Sequence, residues 1–164
     1  MVQTDWSVST IPAGGRHDPW SLLGRRAAPW WAALADSGGV PAYLIVANRT
    51  LGGAALRAEV RQRIGSGAAE FYVVVPGYPD RQTAAARLAD ALASFRAMGA
   101  VVDGEVGAAH PVAAVHDALQ QHNVDEILLS TLPAGISRWV ANDTPSKLRR
   151  LFALPVVHIV SEEP

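Results

Sequence analysis

DEILLSTLPAGISRWVANDTPSKLRRLFALPVVHIV, residues 125–160, consists of an apolar segment, a loop of small and hydroxylated residues, a basic helix start and a second apolar segment. This order predicts two strands of an open α/β sheet that are joined by a loop and a helix. Ligands bind at the carboxyl ends of the strands in such sheets. We therefore predict that a ligand site includes residues 130–147.

Strand and helix patterns alternate along the chain from Pro41 onward. Apolar runs predict strands at residues 42–47, 71–75, 126–130 and 156–160, and alternation of apolar and polar residues predicts a strand nearer the sheet edge at 101–106. Helical spacing of apolar residues predicts helices at residues 51–64, 81–98, 111–122 and 145–152. Alternation of this kind requires a mostly parallel sheet with helices on both faces, so we predict a doubly wound α/β domain over residues 41–164.

The amino-terminal segment differs in composition from the rest of the chain. Residues 1–18 are polar, contain Gly and Pro and lack periodicity, so we predict a loose arm. Asp18 and Pro19 match an N-cap and a first helical position. They predict an N-terminal helical extension over residues 20–35, which Pro29 kinks.

Tryptophan is concentrated in the same segment, at Trp6, Trp20, Trp30 and Trp31. Large aromatic side chains anchor interfaces because they bury much area at a low entropic cost. We interpret residues 1–40 as an arm whose Trp-rich helix packs on its own domain or on a dimer partner. The alternatives are a docking site for another protein and a membrane-surface contact assisted by Arg25 and Arg26.

The composition argues against several classes of protein. The 164 residues are 49% hydrophobic and 18% charged, which suits a folded domain with a core. A net charge of −1 argues against a nucleic-acid-binding protein, and the lack of cysteine excludes disulfides and thiolate metal sites. No apolar run is long enough to predict a membrane span. The amino terminus lacks the basic cluster of a secretory signal, which predicts a cytoplasmic protein.

The loop after the first predicted strand carries polar and glycine residues beside the expected crevice. Asn48 offers a donor and an acceptor, and Gly52 and Gly53 allow close approach to the following helix start. Free N–H groups at a helix amino terminus favour an anion there. A turn followed by a helix cap is the simpler interpretation. Neither G-x-G-x-x-G nor a P-loop occurs, which argues against Rossmann-type and Walker-type nucleotide sites.

The loop after the fourth predicted strand leads into a basic helix. Asp143 or Thr144 is expected to cap this helix, with Pro145 at its first helical position. The basic side chains of the region are Arg138, Lys147, Arg149 and Arg150. A phosphate suits this helix start, whereas Asp143 repels an anion unless its side chain points away. A solvated basic helix is the alternative interpretation.

The sequence contains no recognisable set of catalytic or metal-binding residues. Ser130 follows a strand but lacks the G-x-S-x-G pattern of a nucleophile elbow. His116 and His122 lie on different faces of a helix, so they do not share a metal ion easily. Asp143 and Asp80 are carboxylates near the expected cleft, and nothing pairs them for acid–base chemistry. We therefore predict a protein without enzymatic activity.

The element order and the two loops resemble the universal stress protein family over residues 41–162. In that family the first strand ends in Val-Asp, whose acid contacts adenine, and ATP-binding members carry G-x2-G-x9-G-[ST] after the fourth strand. Asn48 stands at the Asp position, and Thr50 stands at a later hydroxyl position. The motif positions are occupied by Ser130, Pro133, Asp143 and Thr144, with the spacing preserved and the glycines replaced. The resemblance implies the strand order 3-2-1-4-5.

The resemblance also implies a non-enzymatic stress-response protein that binds a small ligand, with ATP or AMP as candidates. The ligand-binding residues would be Asn48, Thr50, Gly52, Gly53, Ser130, Thr131, Arg138, Asp143, Thr144 and Ser146. Replacement of the glycines favours an alternative, a dimeric interaction module that has lost ATP binding, and a cleft filled by Trp139 would support it. An enzyme acting on a nucleotide is a third class, without an identified catalytic residue. The apolar last strand, at an edge of the sheet, predicts a homodimer.

Overall fold

Strands and helices alternate along the part of the chain that the structure describes, as the apolar pattern predicts. The computed structural model describes residues 39–162. Its strands are β1 (Ala42–Val46), β2 (Glu70–Pro76), β3 (Val101–Gly107), β4 (Glu126–Thr131) and β5 (Val156–Val160). Its helices are α1 (Ala54–Gly65), α2 (Arg81–Ala97), α3 (Pro111–Gln121), α4 (Arg138–Ala141) and α5 (Thr144–Leu151). The predicted arm, the Trp-rich helix and its kink at Pro29 lie outside the described residues.

The five strands form one parallel sheet in the order β3-β2-β1-β4-β5. This order confirms the predicted α/β class, with a doubly wound sheet and helices on both faces. From β1 the chain first adds strands on one side and then returns to add β4 and β5 on the other. The loops that follow β1 and β4 diverge at this reversal and leave a crevice at the carboxyl edge of the sheet.

The central strand β1 is buried on both faces, which explains its continuous apolar sequence. Ile45 and Ala47 belong to the core cluster beneath α1 and α2, and Leu44 and Val46 belong to the cluster beneath α3 and α5. None of these four side chains is exposed to solvent. Burial of one Leu, Ile or Val side chain contributes about 1.5–3 kcal/mol. The segment around β1 therefore stabilises two hydrophobic layers at once.

Helix α1 begins later than the sequence predicts because the chain turns twice before it. Leu51 N donates to Asn48 O over 3.2 Å, and Gly53 N donates to Thr50 O over 2.9 Å. The helix then starts at Ala54. These turns use backbone N–H groups that a helix starting at residue 51 would have pointed toward the crevice.

The short helix α4 is absent from the sequence prediction. It has four residues, and its N-cap hydroxyl, Ser137 Oγ, accepts a hydrogen bond from Val140 N over 3.3 Å. One helical turn is too short to show an apolar period. Among residues 39–162, no helix is long and apolar enough to cross a membrane.

Gly53 is the point where the start of α1 packs against the chain that leaves β5. A Cβ atom added to Gly53 would overlap Ser161 Oγ and would lie 2.5 Å from the Glu162 carbonyl oxygen. Its backbone angles, φ −65° and ψ 149°, suit any residue. Glycine is therefore required at this position for space and not for backbone conformation.

We expect Gly53→Ala to lower the free energy of unfolding by about 1–3 kcal/mol, because the added methyl group has no room. The matched control is Gly65→Ala at the end of α1, where nothing lies within 4 Å of an added Cβ atom. This control should be neutral or more stable by up to about 1 kcal/mol. Urea denaturation followed by circular dichroism measures both variants, and equal stabilities would contradict the close packing at Gly53.

Candidate functional site

A cavity of about 640 Å³ opens at the carboxyl edge of the sheet, where the loops after β1 and β4 diverge. Its lining comes from the loop after β1, the β2–α2 connection, helix α2 and the segment after β4. The lining residues are Asn48, Arg49, Thr50, Tyr78, Pro79, Asp80, Thr83, Arg87, Ser130, Thr131, Leu132, Ile136, Ser137, Arg138 and Trp139. A volume of this size is in the range of small-molecule sites.

The structure brings part of the predicted site together in this cavity. The predicted residues that line it are Asn48, Thr50, Ser130, Thr131 and Arg138. The predicted residues outside its lining are Gly52, Gly53, Asp143, Thr144 and Ser146. The second group lies at the starts of α1 and α5. The cavity is therefore formed by strand ends and by the β2–α2 connection, and not by those two helix starts.

Asn48 connects the end of β1 to the opposite wall of the cavity. Its Nδ2 atom donates to the carbonyl oxygens of Pro76 over 2.9 Å and Tyr78 over 3.0 Å. Its Oδ1 atom accepts a hydrogen bond from Arg87 Nη1 over 2.8 Å. Both amide hydrogens are thereby used within the protein. Asn48 thus holds the β2–α2 connection and the Arg87 side chain in place.

Thr50 and Ser130 lie at the buried end of the cavity, just beyond β1 and at the end of β4. Thr50 Oγ1 donates to the Ser130 carbonyl oxygen over 3.1 Å. Only 2% of Thr50 and 1% of Ser130 are exposed. The Ser130 hydroxyl has no hydrogen-bond partner in the described part of the chain. A buried hydroxyl without a partner costs about 1–3 kcal/mol, which a ligand atom bonded to it would recover.

Thr131 contacts His158 of β5, with 2.8 Å between Thr131 Oγ1 and His158 Nε2. The Thr131 hydroxyl donates to the Leu132 carbonyl oxygen over 3.0 Å, so it accepts from the Nε2–H of a neutral imidazole. Burial, together with the positive charge of Arg149, lowers the pKa of His158. The neutral form of His158 therefore stabilises the end of β4.

The charged side chains that line the cavity are mostly positive. Among the described residues that line the cavity, Arg49, Arg87 and Arg138 are basic and Asp80 is acidic. The Asp80 carboxylate accepts hydrogen bonds from the N–H groups of Thr83 over 2.9 Å and Gln82 over 3.1 Å at the start of α2. Hydrogen bonds from the Thr83 hydroxyl and these N–H groups lower the pKa of Asp80. Three arginines against one carboxylate leave the described lining with an excess of positive charge, which favours an anionic ligand.

Apolar and aromatic side chains form the remaining walls. Tyr78 and Pro79 belong to the β2–α2 connection, and Leu132, Ile136 and Trp139 belong to the segment after β4. Tyr78 and Ile136 are 55% and 66% exposed. Trp139 is partly buried and packs against the core cluster beneath α3 and α5, so it is a wall of the cavity and does not fill it.

The start of α5 is built differently from the phosphate site that its sequence suggested. Asp143 occupies the N-cap position with φ 54°, and its side chain makes no capping hydrogen bond, so the predicted side-chain cap by this residue is wrong. Its carboxylate lies 3.5 Å from Arg150 Nη2 at the surface. Thr144 and Pro145 are buried. A proline has no N–H group to offer a ligand.

The β2–α2 connection and α2 supply lining residues that the sequence analysis missed, and so does Arg49 in the loop after β1. Tyr78, Thr83 and Arg87 line the cavity, and Asp80 was expected only near the cleft. The available signal was the turn sequence GYPD at residues 77–80, which follows a buried strand. Arg87 is the seventh residue of α2 and carries no local signal of a binding role.

Two solved structures are similar to this chain. A universal stress protein in complex with cAMP matches with a TM-score of 0.55 and 17% sequence identity, over 75% of this chain and 98% of its own. A universal stress protein from Archaeoglobus fulgidus matches with a TM-score of 0.54 and 19% identity, over 77% of this chain and 98% of its own. The chain has the universal stress protein fold. The structural likeness confirms the resemblance stated from the sequence, whereas no protein-family model and no curated protein matches the chain.

We expect the free energy of unfolding to fall between about pH 7 and pH 5, in part through His158. The pKa of His158 in the folded protein lies below its ordinary value of 6.5, so the unfolded chain binds the proton first as the pH falls. Burial also lowers the pKa of His122, so a His158 variant should still lose some stability as the pH falls. Urea denaturation over this pH range should show a smaller decrease in the free energy of unfolding for His158→Gln than for the wild type. Equal losses would contradict this role.

Proposed function

We propose that the protein is a non-enzymatic binding protein that holds a small anionic, nucleotide-like ligand in the cavity at the carboxyl edge of the sheet. The proposal rests on one observation: a cavity of about 640 Å³ combines arginine side chains, aromatic walls and a buried hydroxyl that has no partner in the described part of the chain. Arginines suit phosphate groups, and apolar walls suit a planar base. A neighbour with the same fold was solved in complex with cAMP, which supports a nucleotide-like ligand here.

A binding role is favoured over catalysis by the state of the reactive groups. The Ser130 hydroxyl has no partner that would act as a base in the described part of the chain. The Asp80 carboxylate is engaged at the start of α2. Within residues 39–162, no group of three or more histidine, aspartate or glutamate residues is placed to hold a metal ion. Turnover of a nucleotide by the purified protein would revive the enzymatic alternative.

We place this activity in the stress response of the cytoplasm, in line with the shared fold. In this proposal, residues 41–164 form the binding domain, with its ligand contacts among the predicted residues at the cavity. Residues 1–40 supply a separate Trp-rich arm for a protein contact. The cavity beside Trp139 favours ligand binding over the alternative of an interaction module with a filled cleft.

A nucleotide ligand should raise the melting temperature of the full chain. At a concentration of about a hundred times the Kd, the stabilisation is about 2.7 kcal/mol, which corresponds to a few degrees in a domain of this size. The test is differential scanning fluorimetry with ATP, AMP and cAMP, each with and without Mg²⁺. Arg138→Glu, in the cavity lining, should reduce the shift, whereas Arg57→Glu on the exposed side of α1 should not. No shift with any nucleotide would favour the interaction module.

We also propose a homodimer that forms through β5. This strand is at the edge of the sheet, and Val160 at its end is 52% exposed. An open apolar edge is covered when a second copy pairs with it.

We expect Val160→Lys to weaken the dimer by about tenfold or more, because a charge replaces apolar area at the interface. Ala93→Lys, on the exposed face of α2, is the control and should leave the dimer intact. Sedimentation velocity over a range of protein concentrations measures the change. A wild-type protein that stays monomeric at every concentration would refute the dimer.

A further inference from the structure

We infer that the ligand of this cavity carries a single phosphate group, and that Arg87, held by Asn48, binds that group. The inference deepens the proposed function and rests on it. It identifies the ligand class as nucleoside monophosphates, in preference to triphosphates. Four features of the cavity support it: the commitment of Asn48, the free donors of Arg87, the hydroxyl of Ser130 and the position of the α5 start.

The first feature is the commitment of Asn48 to contacts within the protein. Both of its amide hydrogens are donated to the carbonyl oxygens of Pro76 and Tyr78, and its oxygen accepts from Arg87. A base that needs a hydrogen-bond donor from this position would have to break one of these bonds. Asn48 is therefore a positioning residue, and the group that it positions toward the ligand is the Arg87 guanidinium.

The second feature is the donor capacity of Arg87. The side chain is partly buried at the cavity wall, and the hydrogen bond to Asn48 uses one of its five N–H donors. A guanidinium presents its donors in a planar fork that matches two oxygens of one phosphate. Arg49 and Arg138 line the same cavity and add positive charge around that position.

The third feature is the Ser130 hydroxyl, which is independent of the arginines. It lies in the cavity lining with 1% of the residue exposed and has no hydrogen-bond partner in the described chain. Among residues 39–162 no side chain satisfies it, and in this proposal a polar ligand atom does. A phosphate or sugar oxygen of the ligand accepts a hydrogen bond from this hydroxyl. A polar part of the ligand therefore lies at the buried end of the cavity.

The fourth feature limits the number of phosphates. The residues at the start of α5 lie outside the lining, and the lining of the segment after β4 ends within the short helix α4 at Trp139. Thr144 and Pro145 are buried in the protein, and Asp143 contributes a negative charge beside Arg150. That helix start therefore lies away from a ligand in the cavity, and Arg87 beside Asn48 is the group that binds its phosphate.

The test is isothermal titration calorimetry of the full chain with AMP, GMP, CMP and UMP, followed by the nucleoside and the triphosphate of the best binder. The monophosphate should bind at least about tenfold more tightly than its nucleoside, because its phosphate accepts charge-assisted hydrogen bonds that the nucleoside cannot accept. The triphosphate should bind no more tightly than the monophosphate. Arg87→Gln should remove the preference for the monophosphate and leave the affinity for the nucleoside within about threefold.

Arg57→Gln is the matched control, since Arg57 lies on α1 outside the cavity lining, and it should change neither affinity. Arg87→Lys keeps the charge and loses the planar fork. Its preference for the monophosphate over the nucleoside should therefore lie between those of the wild type and Arg87→Gln. Ser130→Ala should weaken binding of the monophosphate, and the variant should still bind the monophosphate more tightly than the nucleoside. If Arg87→Gln does not fold, Arg87→Lys and the wild-type order of affinities decide the question.

Two results would overturn the single-phosphate assignment while leaving the proposed function intact. One is a triphosphate that binds about tenfold more tightly than the monophosphate. The other is an equal loss of nucleoside and monophosphate affinity in Arg87→Gln. A protein that binds none of these nucleotides would instead overturn the proposed function together with this inference.

Discussion

The structure depends on the burial of the central parallel strand β1 on both faces and its hydrogen bonding along both edges. It pairs with β2 on one edge and with β4 on the other. Because crossovers between parallel strands are right-handed, the helices on the two sides of this strand cover opposite faces of the sheet. The loops after β1 and β4 consequently separate at the carboxyl edge. The cavity is therefore a result of the strand order, before any particular side chain is considered.

At that edge, one side chain joins segments of the chain that are far apart in sequence. The resemblance implied an acid at position 48 that contacts adenine, whereas Asn48 donates to two backbone carbonyls of the β2–α2 connection. A carboxylate has no N–H group and would place a negative charge beside those carbonyl oxygens. The amide turns this position into a link between strand β1 and the wall that carries Arg87. The amide of Asn48 thus joins two walls of the cavity.

The same cavity contains features that oppose folding. The Ser130 hydroxyl is buried and has no hydrogen-bond partner among residues 39–162, which costs about 1–3 kcal/mol. Arginine side chains from three segments line one opening, and like charges repel each other. Each buried Leu, Ile or Val of the central sheet contributes about 1.5–3 kcal/mol, and the two core layers offset these local costs. The rigid sheet thereby supports a site that is not optimised for stability.

The sequence by itself determined the order of the five strands and the four longer helices, because parallel strands buried on both faces need unbroken apolar runs and the helices between them need a helical period. It also located Asn48 and Ser130, since both lie near the carboxyl ends of predicted strands. Only the tertiary structure decided that Arg87, 39 residues after Asn48, reaches the same cavity and that the start of α5 does not. Contacts between distant segments depend on how α2 and α5 pack on the sheet, and on the left-handed backbone at Asp143. No local pattern of residues encodes that geometry.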